Sequence, residues 1–279
     1  MEFKSRASYH SAAGFVAKIG NYLALVATYV RFNAKAALEY RAAFVSQMLA
    51  MILNDCIWVA FWTTFFARFP VIHGWGSTDV ITLWAVCAAG LGIGETVFGN
   101  SARLATLIAQ GELDSWLLYP RSVLTHIILG KMNATAFGDA LFGYGVYLGF
   151  AHPDLPHFAL FSALTLSVAV VFVGLNILSG SLSFLMGNAA PLADQWRFAM
   201  VNFSTYPASL FDGPVRFMLY TVVPAGFVSY LPIEALRTFS LQTAALSLLG
   251  SLVFFVVAVV VFYEGLKRYE SGNLMLMKG

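Results

Sequence analysis

Three acidic residues stand inside or at the edge of long apolar runs: Asp55, Glu95 and Asp139. A carboxylate in hydrocarbon is costly, so such a residue faces a bundle interior or water. Two uses suit that placement. One is a proton or cation relay, as an ion-coupled carrier needs. The other is hydrogen bonding between packed helices, with Glu95 near a helix end beside water. The nearest basic residue is Lys131, at the start of an apolar run, and this scarcity of cations favours the packing role. His152 and His157 flank Asp154, but that spacing matches no metal signature and reads as a loop. Gly90, Gly92 and Gly94 lie in an apolar run with no Lys after them, so they form no phosphate loop. The Gly90 and Gly94 pair instead has the spacing that lets a second helix come close. The chain has no Gly-x-Ser-x-Gly elbow, His-Glu-x-x-His pair or Walker A sequence. It therefore has no catalytic constellation, and any driving energy comes from an ion gradient or another protein.

The elements around these residues belong in a membrane. Hydrophobic residues make up 59% of the 279 and charged residues 11%, too few charges to cover a soluble surface. Cys56 and Cys87 fall within apolar runs and read as small hydrophobes, not a disulfide or metal pair. The N-terminus carries charges and no unbroken apolar core, so it is not a cleavable signal. The expected organisation is a cytoplasmic tail over 1–20 and one all-α transmembrane domain over 21–279.

Hydropathy predicts six transmembrane helices, at about 42–67, 80–98, 125–150, 158–186, 215–233 and 241–263. Before them, Ile19 to Val30 is an uncharged run of 12 residues flanked by Lys18 and Arg31. A span needs roughly 20 residues, so this segment predicts an amphipathic helix lying in the interface. The run from Phe158 to Ala193 holds 36 uncharged residues, and one long helix is preferred to a hairpin. The fifth segment contains Pro224, which removes a backbone donor and predicts a kinked or partly re-entrant span. With six spans, 14 of the 16 Lys and Arg fall on the side of the termini and two on the other, which places both termini in the cytoplasm.

The most polar long segment between apolar runs is Ser101 to Val123. It mixes Arg103, Glu112, Asp114 and Arg121 with Leu104, Leu107, Leu113, Trp116 and Leu117. That pattern predicts a short amphipathic helix outside the bilayer, on its surface or against a partner; the alternative is a plain solvated connector.

The whole arrangement resembles the permease subunits of type-2 ABC exporters, in the small six-span branch without its own ATPase domain. Gly111-Glu112-Leu113-Asp114-Ser115-Trp116-Leu117-Leu118-Tyr119-Pro120 is similar to that family's Gly-x-Leu-Asp-x-x-Leu-Leu-x-Pro motif, with Tyr119 where a basic residue is commoner. Tyr206-Pro207, Leu210-Phe211 and Pro224-Ala225-Gly226-Phe227 are similar to its later pattern. The resemblance implies a non-catalytic subunit that binds no cofactor itself. ATP and Mg would sit on a separate cytoplasmic ABC ATPase, and a second permease subunit, identical or related, would complete the path. Membrane lipid is the remaining partner, with no nucleic acid, and the location is the inner (plasma) membrane. Arg103, Glu112, Leu113, Asp114, Trp116, Leu117 and Arg121 would contact the ATPase. Asp55, Gly90, Gly94, Glu95, Asp139 and Pro224 would serve the path or helix packing. The competing reading is an ion-coupled secondary transporter using Asp55 and Asp139, although no repeat of three spans supports it. A membrane-embedded enzyme would need a convergent polar cluster, which is not found.

Overall fold

The computed structural model describes residues 2–119 and 122–269, with side chains from Gly20 onward. Its helices are α1 (Glu2–Glu39), α2 (Arg41–Arg68), α3 (Ser77–Phe98), α4 (Leu104–Ala109), α5 (Leu113–Leu117), α6 (Val123–Leu129) and α7 (Phe137–Ala151). After these come α8 (Leu155–Ser181), α9 (Ser183–Met186), α10 (Ala190–Ser204), α11 (Gly213–Thr221), α12 (Leu231–Thr238) and α13 (Leu241–Leu266). A π-helical turn, Gly226–Tyr230, leads into α12. No β-strand occurs among the described residues.

Four helical runs are long and apolar enough to cross a membrane: Arg41–Arg68, Ser77–Ala109, Leu155–Met186 and Leu241–Leu266. Two of them outrun the predicted spans. The second continues through the turn Gly99–Arg103 into α4, so the first half of the polar segment 101–123 is an extension of α3. The fourth carries on through α9 as one run of 32 residues, with no hairpin inside it. At the N-terminus, the expected tail over 1–20 and interfacial segment form one helix, α1.

Packing centres on α3, which is clasped by α7 on one side and α8 on the other. The residues that allow this are small. A Cβ on Gly92 would stand 2.4 Å from the Ala140 nitrogen, and one on Gly143 would stand 2.5 Å from the Ala85 oxygen, so α3 and α7 meet backbone to backbone. Gly90 and Gly94 turn to α8, where a Cβ on Gly90 would meet Val168 at 2.3 Å. The close approach expected from their spacing is therefore an intrachain one. By contrast α2 and α13 present long apolar faces outward, with Leu49, Leu53, Ile57, Leu249, Val253 and Val257 all exposed.

Two predicted spans take another form. The third, 125–150, is broken: α6 ends at Leu129, and α7 begins only after the short turn Ala134–Ala136. The linker is held by the Asn133 N–H, which donates to the Glu95 carbonyl at 3.1 Å. The fifth is not a single helix either. Gly213–Thr221 and Gly226–Thr238 meet at 81°. Pro224, which lacks an N–H and disfavours helix in the residue before it, sits in the bend.

The contacts show where this bent pair goes. Ala208, just ahead of it, packs with Trp75, Val80 and Ile233 at the end of the bundle opposite residues 101–123. The apex lies deeper, since a Cβ on Gly250, midway along α13, would meet the Phe227 ring. The pair returns to the same end, where Arg237 Nε lies 3.2 Å from Asp79 Oδ1 at the start of α3. It is thus a re-entrant hairpin. The pass between the ends that was assigned to 215–233 falls to α10, a segment that reads as a polar loop. α10 starts near the 101–123 end, where the Ser183 hydroxyl donates to the Ala105 carbonyl at 3.0 Å and accepts from the Ala189 N–H at 3.2 Å. It then runs antiparallel to α11: Trp196 Nε1 donates to the Val222 carbonyl at 2.8 Å, and Phe203 meets Phe211 edge-on. Arg216 thereby joins Arg68 and Arg237 at the far end.

Candidate functional site

The segment 101–123 does not form one amphipathic helix. It folds as α4 and α5, with a reversal at Gly111, whose φ of +73° suits a residue without a side chain. Its apolar side chains are used inside the chain. Leu104, Leu107, Ile108 and Leu113 are fully buried against α8 and α13, packing with Val173, Ile177, Ala258 and Phe262. Leu113 was expected to touch a partner; it has no exposed surface with which to do so.

Trp116 is half-buried. Its ring fills the space a side chain on Gly130 would need, the contact being 2.5 Å, and it stacks on Tyr119. Tyr119 stacks in turn on His126, which hydrogen-bonds to the Tyr29 hydroxyl at 2.9 Å. An aromatic chain thus joins the loop to α1. On the other flank, Ser122 and Tyr263 share a hydrogen bond of 2.7 Å. Tyr269 lies beside the Gly111 turn. Burial, with the Asp114 carboxylate nearby, pushes its pKa up to about 12, so it remains a neutral phenol.

What faces outward is a compact strip of Glu112, Asp114, Ser115, Leu117, Leu118 and Tyr119. Leu118 is 86% exposed, although the contact set implied by the resemblance leaves it out. Leu117 and Leu118 are adjacent leucines in the same motif, and no rule of spacing shows that Leu118 would be left bare. Arg121 and Pro120 lie outside the described residues.

A family model described as ABC-2 family transporter protein matches residues 52–272. The chain belongs to that family. No curated protein and no solved structure gives a match. As an ABC-2 family membrane protein, the chain is a multi-pass transport permease, of a family that generally works with an ATP-binding subunit. The match runs from within α2 through α13 and includes the loop, so the segment 101–123 sits within the family's own membrane domain and is not an appendage to it.

Beside the loop, the permease carries a cavity of about 890 Å³. It is bordered by α2, by α3 and its extension, by the linker between α6 and α7, and by α10. Two of the three intramembrane acids line it, Glu95 and Asp139, and Asp55 stands near Asp139, within range of its charge. Glu95 is tied to α8, with one carboxylate oxygen accepting from Asn176 Nδ2 at 3.2 Å, and Asn176 also donates to Ser101 at 3.1 Å. Glu95 therefore has the interhelical bond expected of a packing acid. Asp55 and Asp139 do not; neither carboxylate has an ion pair among the described residues. Arg103 faces the cavity and not the strip on α5, which separates it from the other residues of the predicted contact set. Pro224 sits apart at the apex of the hairpin. Lys131, Asp194 and Arg197, which were assigned no role, line the same space. Asp194 and Arg197 stand one turn apart just after Pro191, the pattern of a helix start, and that signal could have revealed α10.

Proposed function

We propose that the exposed strip on α5, Glu112 to Tyr119, is the seat of a separate cytoplasmic ABC ATPase, and that the permease is an ATP-driven exporter. One observation carries this reading: the loop is locked to the bundle on one face and bare on the other. Leu104, Leu107, Ile108 and Leu113 anchor it in the core, while Leu118 and the acids Glu112 and Asp114 stand in the open. A flexible connector would not bury four aliphatic side chains. Because α4 prolongs α3, a push on the loop would be delivered along the helix that packs on both α7 and α8. ATP and Mg would be held by the partner. A second permease subunit, identical or related, would complete the path. The weight of Lys and Arg at the loop end supports both termini lying in the cytoplasm, with the protein in the inner membrane.

The test is co-purification of the full chain with the stand-alone ABC ATPases of the same cell, followed by transport with and without ATP depletion. A stable complex and ATP-dependent transport are expected. Transport that persists without ATP, driven by an ion gradient and stopped by Asp55→Asn or Asp139→Asn, would replace this reading with the secondary carrier.

A further inference from the structure

The cavity between α2, α3, the α6–α7 linker and α10 has a charge order that points to a ligand. Its volume, about 890 Å³, falls in the range of sites for drug-sized molecules, roughly 300–1,000 Å³. Asp139 is only 6% exposed and borders the cavity, and its carboxylate has no hydrogen bond or ion pair among the described residues. One oxygen of Asp55, a neighbour of Asp139, is enclosed without a hydrogen-bond partner. Carboxylates so little exposed and without a partner in the chain favour a proton or a cation beside them. Glu95 adds a second acid to the same wall.

The opposite charge gathers nearer the loop. Arg103 and Lys131 are exposed at that end of the cavity, and neither has an ion pair among the described residues. Arg197 also lines the space, paired with Asp194 at 2.8 Å and close enough for its charge to reach Glu95. Glu95 and Arg103 are eight residues apart on one nearly continuous helix, or about 12 Å at 1.5 Å per residue. Met51, Leu91 and Phe198 supply apolar wall between and around the two poles.

We propose that this cavity binds an amphiphilic zwitterion. Its ammonium group is drawn inward to Asp139 and Glu95, its anionic group is held at Arg103 and Lys131, and its apolar body lies on the wall. In calling this ligand the substrate class, the proposal rests on the transport reading above; the binding itself does not.

The experiment therefore leaves the ATPase out. The full chain in lipid nanodiscs is titrated into rhodamine B (zwitterionic at neutral pH), rhodamine 6G (a cation) and fluorescein (an anion), and anisotropy is read against empty nanodiscs. Rhodamine B is expected to bind tightest and fluorescein weakest. Asp139→Asn should weaken both rhodamines tenfold or more, and Glu95→Gln, a second isosteric variant, should weaken both severalfold. The Arg103→Ala, Lys131→Ala double variant should weaken rhodamine B severalfold and leave rhodamine 6G unchanged. The proposal is overturned if neither rhodamine binds saturably, if fluorescein binds as well as they do, or if neither acid variant changes their affinity. Equal loss of both rhodamines in the double variant would overturn the zwitterion assignment. Failure to bind an ATPase would leave all these results standing.

Discussion

The Tyr263 hydroxyl and the Ser122 hydroxyl share a hydrogen bond of 2.7 Å, although 141 residues separate them. It ties the exit of the loop to the last helix, which would give a displacement of the loop a direct route to α13. Ser122 keeps other bonds if Tyr263 is lost, since it caps α6 by accepting from Thr125. Tyr263→Phe should therefore cost only about 1 kcal/mol of stability. The larger effect should fall on coupling: ATP hydrolysis in the complex should continue while transport per ATP falls severalfold. An unchanged ratio would show that the bond is not on the route of transmission.

Gly92 makes the closest approach in the bundle that side chains cannot yield to. A Cβ there would stand 2.4 Å from the Ala140 nitrogen and 2.8 Å from the Ala136 oxygen, both backbone atoms. Gly92→Ala should lower stability by roughly 1–3 kcal/mol or prevent accumulation, because α3 and α7 must part. Gly145→Ala is the matched control: nothing lies within 4 Å of its added Cβ, so helix propensity alone should make it neutral or slightly stabilising. Thermal unfolding in detergent would measure both, and equal midpoints would contradict the packing.

Leu118 tests the loop from its outer face. At 86% exposure it contributes almost nothing to the fold, so Leu118→Asp should leave the melting curve unchanged. It should nevertheless reduce recovery of the ATPase in pull-downs severalfold. Trp116→Ala should act differently and lower stability as well, because its ring fills the space over Gly130. If Leu118→Asp retains full ATPase binding, the partner does not sit on this strip.

Arg237 closes the re-entrant hairpin onto the start of α3. It pairs with Asp79, donates to the Gly74 carbonyl at 2.9 Å and lies 5.3 Å from the centre of the Trp75 ring. Because the pair is partly exposed, a double-mutant cycle of Arg237→Ala with Asp79→Asn should give a coupling of only about 0.5–1 kcal/mol. Asn at position 79 can still accept from the Gly76 N–H, which Asp79 does at 2.9 Å. Additive effects would mean the ion pair contributes nothing and that the hairpin is held by its apolar contacts.

Asp154 supplies a pH signature at the far end. It caps α8 by accepting from the His157 N–H at 2.9 Å, and that bond, with the His157 side chain, holds its pKa below the usual carboxylate value. A pKa lowered in the fold gives stability that is present above the unfolded value, about 3.9, and is lost as pH falls through the folded one. Melting midpoints should therefore drop below about pH 4 in the natural protein. Asp154→Asn should flatten that drop, since Asn still caps a helix but does not titrate. Identical acid limbs would show that other carboxylates govern the loss.

The class, the helical content and the position of the loop were all legible in the sequence, because each depends on local composition. The length of apolar runs names most of the long helices, and the motif from Gly111 to Pro120 marks the loop. The fifth pass was not legible. α10 holds Asp194 and Arg197 and spans only 15 residues, so hydropathy reads it as a connector. The more apolar segment after it bends at Pro224 and turns back. Hydropathy measures whether a segment tolerates lipid, and a hairpin resting on α10 and α13 needs the same apolar character as a span.

The three intramembrane acids show the same boundary. Sequence alone determined that Asp55, Glu95 and Asp139 stand within or at the edge of long apolar runs. Only the tertiary structure decided that Glu95 is bonded to Asn176 while Asp139 borders a cavity with Arg103 and Lys131 at its other end. It likewise decided that Leu113 is buried and Leu118 bare, though they are five residues apart. A helix's rotation and depth are set by where its small residues let neighbours in, as Gly90, Gly92 and Gly143 do. Those contacts join segments far apart in the chain, so the Gly90 and Gly94 spacing announces a close approach but not which helix makes it.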